Sequence, residues 1–131
     1  MNVNVLGVIY EITEASPKTD ENLKDADGYV IFYDKRIVLS DLSDWDKQAS
    51  ELAKDIYRKQ NLRHELIHAF LYESGLAYNS NGATNWSMNE EMVDWMAIQM
   101  PKIMEAYESV INKKTVECRY INEREPTTVE I

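Results

Sequence analysis

At 131 residues, 44% hydrophobic and 28% charged, the chain is long enough to bury one ordinary core and too apolar to stay disordered. Its net charge of −9 argues against a nucleic-acid partner, because phosphate contacts require Lys and Arg in excess. With a single cysteine, Cys118, neither a disulfide framework nor a Cys-rich zinc knuckle can form, and Cys118 itself reads as a small core hydrophobe.

The N-terminal Met1-Asn2-Val3-Asn4-Val5-Leu6 has no basic region and no long apolar run, so no signal peptide is read there. No stretch approaches the ~20 apolar residues of a membrane span. A cytoplasmic protein with no membrane partner is the expectation, built as one domain over residues 1–131 with 115–131 as a loose tail.

Residues 3–12 are rich in β-branched side chains and read as one or two strands bent at Gly7. Residues 16–27 are polar, contain Pro17 and read as a loop. Gly28-Tyr29-Val30-Ile31-Phe32-Tyr33 reads as a strand, Asp34-Lys35-Arg36 as a turn and Ile37-Val38-Leu39-Ser40 as a strand, together a hairpin. From 45 to 74 there is no Pro or Gly. Apolar residues recur there at helical spacing: Ala49, Leu52, Ala53, Ile56, Leu66, Ile67, Phe70 and Leu71. Ser43 or Asp44 is the expected cap and Gly75 the stop, with one break near Gln60-Asn61.

Residues 77–87 read as a loop. A second helix is expected over 88–112, with a stripe of Met92, Val93, Met96, Ala97, Met100, Ile103, Met104, Tyr107, Val110 and Ile111. The stripe stays in phase across Pro101, which implies a kink or two helices nearly end to end. Val116, Cys118 and Tyr120 alternate as in a short strand. Strands first and helices afterwards point to an α+β layer arrangement.

The chemistry concentrates in His64-Glu65-Leu66-Ile67-His68. Two histidines four apart lie on one face of a helix, one turn from each other, so both imidazoles reach one ion. Glu65 points off that line, a poor ligand but placed to accept a proton from water at the metal. On the helical wheel the apolar stripe centres near Ile56, Ile67 and Phe70, with His64 and His68 at its edge.

A catalytic zinc site needs a third protein ligand, and no third histidine exists. Among Glu73, Glu90, Glu91 and Asp94, Glu73 lies at the far end of the same helix and Glu91 falls on the outer face of the next. Glu90 borders the buried side and is the expected ligand. Its rival role is the capping box Ser87-Met88-Asn89-Glu90, in which it bonds the Ser87 amide. Asp94, one turn on, is either a solvated helix residue or the partner that orients a ligand histidine, His64.

His64-Glu65-Leu66-Ile67-His68-Ala69-Phe70, followed by Glu90-x-x-Val93-x-x-Met96-Ala97 and Met100-Pro101, resembles the ImmA/IrrE-like metallopeptidases. Asn89-Glu90-x-x-x-Asp94 is similar to the matching segment of the thermolysin-like gluzincins. The whole chain looks like short metallopeptidases encoded by phages and prophages of Gram-positive bacteria. Val93 and Met96 stand where that family usually has Ala and Phe, and the helix-turn-helix domain of many ImmA-like proteins is lacking.

The resemblance implies a minimal zincin-like fold, a small antiparallel or mixed sheet on a long motif helix and a second ligand-bearing helix. It also implies one Zn2+ held by His64, His68 and Glu90, and Glu65 as general base in hydrolysis of a peptide or protein substrate. By the same resemblance, Ile37-Val38-Leu39 is the sheet edge to which a peptide adds as a strand. Oxyanion stabilisation would fall to Tyr72, Tyr107, Arg119 or Tyr120. The alternatives are a non-cleaving phage protein that binds other proteins around a structural or vestigial zinc, and a metal-free helical adaptor. Two imidazoles and a carboxylate suit zinc best but also admit Co, Ni or Mn.

Overall fold

The computed structural model describes the backbone of residues 1–79 and 88–122, and the side chains of 1–77 and 88–112. The architecture is α+β, a four-stranded mixed sheet with two long helices. The backbone divides into two compact units, Met1–Ile98 and Gln99–Ile131. The first holds the sheet, the first long helix and the start of the second.

Strands β1 (Asn2–Val5) and β2 (Val8–Ala15) pair antiparallel through a two-residue turn at Leu6-Gly7. A single 3-10 turn at Glu21–Leu23 interrupts the following loop and buries Leu23. Strands β3 (Gly28–Ile31) and β4 (Arg36–Ser40) form the expected hairpin, with Tyr29 opposite Val38 and Val30 opposite Ile37. The sheet order is β1-β2-β4-β3.

Strand β4 therefore lies inside the sheet, paired in parallel with β2 and antiparallel with β3. This overturns the expectation that Ile37-Val38-Leu39 is the edge. The edge is β3. The β2–β4 pairing joins residues about 25 apart in the chain (Glu11 to Arg36), and no local pattern announces such a partner.

One face of the sheet carries Val5, Tyr10, Ile37 and Leu39, all buried, and meets Ala69, Leu62 and Leu66 of helix α1 (Glu51–Glu73). Ile37 and Leu39 share this face at period two, while Val38 and Ser40, on the opposite face of β4, are buried as well. Helix α1 begins later than expected. Its cap is Ser50, whose Oγ accepts the Ala53 amide at 3.1 Å, and neither Ser43 nor Asp44. Asp41 and Asp46 instead bond the amides two residues on, which holds this stretch in turns. The helix is unbroken at Gln60-Asn61, and Gly75 follows it at φ 81°, the left-handed conformation that stops a helix.

The apolar stripe read for α1 was displaced from the true buried face. Leu52 and Ile56 are 70% and 57% exposed, and Phe70 is exposed too, while the buried residues are Asn61, Glu65, Ile67, His68 and Ala69. Polar side chains take the inner face because they line a cleft and find partners there. Beyond α1, a short helix α2 (Leu76–Asn79) replaces the start of the expected loop, and residues 80–87 lie outside the described ones.

Helix α3 (Glu90–Asn122) remains helical through Pro101. It is capped by Asn89, whose side-chain oxygen accepts the Met92 amide at 3.0 Å. Its Val93 and Ala97 are fully buried and cluster with Ile67 of α1, whereas Met100 is exposed. The strand expected at Val116, Cys118 and Tyr120 does not form. No Gly or Pro stops the helix between 102 and 122, and extending an existing helix costs far less than starting a new element. The expected burial of Cys118 and the loose end from 125 lie outside the described side chains and residues. Among the described residues, no helix is long and apolar enough to cross a membrane.

Candidate metal centre

The two histidines come from the middle of α1, and the third candidate from the first residue of α3. His64 Nε2 and His68 Nε2 lie 3.0 Å apart, with rings at 66° to each other. Glu90 closes the group, with Oε2 3.0 Å from His64 Nε2 and Oε1 3.2 Å from His68 Nε2. The three residues are thus close enough to bind one metal ion.

A tetrahedral ion with bonds near 2.0–2.1 Å holds its ligand atoms about 3.3 Å apart, within a few tenths of an ångström of these spacings. Glu90 turns both carboxylate oxygens to the histidines. Ser87, the capping-box partner, lies outside the described residues.

The protonation pattern favours a cation at this point. His64 Nδ1 sits 2.7 Å from Asp94 Oδ1, and a carboxylate only accepts, so Nδ1 carries the proton there. In the neutral ring that leaves a lone pair on His64 Nε2, aimed at the Glu90 carboxylate. Burial holds the His68 imidazole below its ordinary pKa, partly offset by Glu90, and so favours its neutral, ligating form. Lone pairs converging from two sides need a positive charge between them. Asp94 thus lies against His64, the histidine it is expected to orient.

Glu65 is 5% exposed and its pKa is pushed up to about 7, first by burial; His64 opposes the rise while Glu90 and Asp94 add to it. A base is most effective with a pKa near the working pH. Its carboxylate passes against β3. A Cβ on Gly28 would stand 2.9 Å from Glu65 Oε1, closer than carbon and oxygen tolerate, and a tight 3.1 Å from Asn61 Oδ1. Gly28 is glycine because the motif helix runs directly over it.

Two further α1 residues pin this strand end. The Tyr57 hydroxyl donates to Asp27 Oδ2, and Asn61 Nδ2 donates to the Asp27 carbonyl at 2.5 Å. The sequence reading missed both. Their signal is spacing, since Tyr57, Asn61, Glu65 and His68 follow one another at four, four and three residues along one helical face.

These groups line a cleft of about 520 Å³ with Gly28, Tyr29 and Val30 of β3 along one side, a size typical of ligand sites. Among the described residues, five carboxylates face it (Asp25, Asp27, Glu65, Glu90 and Asp94) and no Lys or Arg. Of the oxyanion candidates, Tyr72 is not among the lining residues and stacks on Phe32 at 4.3 Å. Tyr107 belongs to the other unit, and the side chains of Arg119 and Tyr120 lie outside the described ones. Among the described residues, the tyrosines in the cleft are Tyr29 and Tyr57, whose hydroxyls bond Asp20 and Asp27. Glu73, set aside as a ligand, binds Lys35 Nζ at 2.6 Å and the Tyr10 hydroxyl at 2.5 Å.

Comparison with protein-family models, with curated proteins and with solved structures finds no match. The resemblance to the ImmA/IrrE-like metallopeptidases therefore rests on the motif residues alone.

Proposed function

We propose that the chain is a zinc-dependent metallopeptidase. The observation that carries this reading is the convergence of His64 Nε2, His68 Nε2 and the Glu90 carboxylate on one point, with Asp94 fixing the His64 tautomer. Two imidazoles and one carboxylate, with the exposed side left for substrate, match the ligand set of hydrolytic zinc. When bound, zinc supplies a Lewis acid that polarises the scissile carbonyl and acidifies water.

The chain's own residues do the rest. Glu65 accepts the proton of the attacking water and delivers it to the departing amine, a role its buried position beside the ligands favours. Asp94 holds the His64 ring in register. Strand β3, at the sheet edge and along the cleft, is the element to which an extended peptide would add. The chain's likeness to short metallopeptidases of phages and prophages supports a bacterial cytoplasmic setting.

One observation favours a second reading. Both cleft tyrosines commit their hydroxyls to aspartates, which leaves no described tyrosine poised for an oxyanion. A zinc-stabilised, non-cleaving protein-binding module fits that equally. Glu65→Gln separates the two. Incubated with a mixed synthetic peptide library and read by mass spectrometry, the zinc-loaded wild type is expected to cut, and the variant to keep zinc but lose cleavage by at least about 100-fold. A wild type that cuts nothing favours the binding module; a variant that cuts as well as wild type removes Glu65 from the mechanism.

A further inference from the structure

Ala97 lies one helical turn before Pro101 in α3. In an α-helix the carbonyl of residue i accepts from the amide of residue i+4. Proline has no amide hydrogen, so the Ala97 carbonyl loses its regular partner in its own helix. Ala97 is 0% exposed, where a carbonyl without a donor is destabilising. The donor comes from the other helix: Arg63 Nε donates to the Ala97 oxygen at 2.7 Å. Arg63 directly precedes His64. Ala97 lies three residues after Asp94 and seven after Glu90, on the same helical face. The contact thus sits beside the metal ligands of both helices.

We propose that Arg63 is a positioning residue for the metal centre. Pro101 frees the Ala97 carbonyl, Arg63 takes it, and this bond holds the Glu90–Asp94 turn of α3 over His64 and His68. The positioning role rests on the metal-binding reading, whereas the exchange of hydrogen-bond partners does not.

A double-mutant cycle tests both parts, using Arg63→Ala, Pro101→Ala and the double variant, with Arg63→Lys as the conservative control. Zinc affinity is measured by competition with a chromophoric chelator, and thermal unfolding is followed on the metal-free proteins. Arg63→Ala is expected to lower the metal-free Tm and to weaken zinc binding at least about tenfold, as removal of supporting groups around a metal site does. In the Pro101→Ala background the Ala97 carbonyl regains an amide, and the same Arg63 substitution should cost much less on both readouts. Arg63→Lys should recover most of the zinc affinity, because an ammonium also donates to a carbonyl.

Equal effects of Arg63→Ala on Tm in the proline and alanine backgrounds would overturn the partner exchange. A lowered Tm with zinc affinity within about twofold of wild type would overturn the positioning role and leave Arg63 purely structural. A wild type that binds no zinc ends the positioning role together with the metal reading, while the metal-free Tm cycle still decides the exchange.

Discussion

At the scale of single residues, the site depends on how closely Glu65 is held. Its neighbour Gly28 has no room for a methyl group, since a Cβ there would sit 2.9 Å from Glu65 Oε1. Gly28→Ala is therefore expected to displace the Glu65 carboxylate and lower kcat by about 10- to 100-fold, the range that small misplacements of reacting groups produce. Zinc stoichiometry should stay at the wild-type value. Steady-state kinetics with metal analysis on the same preparation check this; an unchanged kcat contradicts it. Much at this scale was legible in the sequence. The four-residue spacing of His64 and His68 set both on one face, and the wheel of the second helix separated Glu90 and Asp94 from Glu91. The roles of Tyr57, Asn61 and Arg63 were not legible, although Tyr57 and Asn61 share a helical face with Glu65 and His68. Each looks like an ordinary polar residue of a solvated helix until its partner is known, and the partners, Asp27 and Ala97, lie 30 to 34 residues away.

At the scale of elements, local pattern identified the hairpin of β3 and β4 and the two long helices, but not how they are assembled. Which strand forms the edge depends on the parallel β2–β4 pairing, and that depends on packing over α1. The same limit explains the misplaced stripe of α1. Ile56 looks like core by its chemistry but lies exposed, while Asn61 and Glu65 are buried because the inner face of the helix meets the strand end at Asp27 and Gly28. The end of α1 is tied to the sheet by Glu73, which accepts from Lys35 and Tyr10. Lys35 first, and Tyr10 second, hold the Glu73 carboxyl below its ordinary pKa. A carboxylate depressed in the folded state stabilises it above the unfolded pKa, and that stability is lost as pH falls through the folded value. Glu73→Gln should thus cost on the order of 1 kcal/mol at pH 7. It should also flatten the acid limb of stability below about pH 4.5, measured by urea unfolding across pH. Parallel wild-type and variant acid limbs would count against this tie.

At the scale of the whole molecule, the net charge of −9 and a cleft faced, among the described residues, by five carboxylates and no Lys or Arg create a negative field around the site. Such a field concentrates cationic ligands and is screened by salt. Peptides with Lys or Arg near the scissile bond are expected to be cut preferentially. Their kcat/KM should fall severalfold between 50 and 300 mM salt, roughly a halving of the Debye length, while neutral peptides change little. Equal salt dependence for both peptide types would rule out electrostatic selection.

The metal centre itself is the most direct test. Purified wild-type protein, dialysed against trace zinc and assayed by plasma mass spectrometry, should hold one equivalent of zinc, and His68→Ala essentially none. A folded wild type without stoichiometric metal, or a His68→Ala variant that retains it, would contradict the account at its centre.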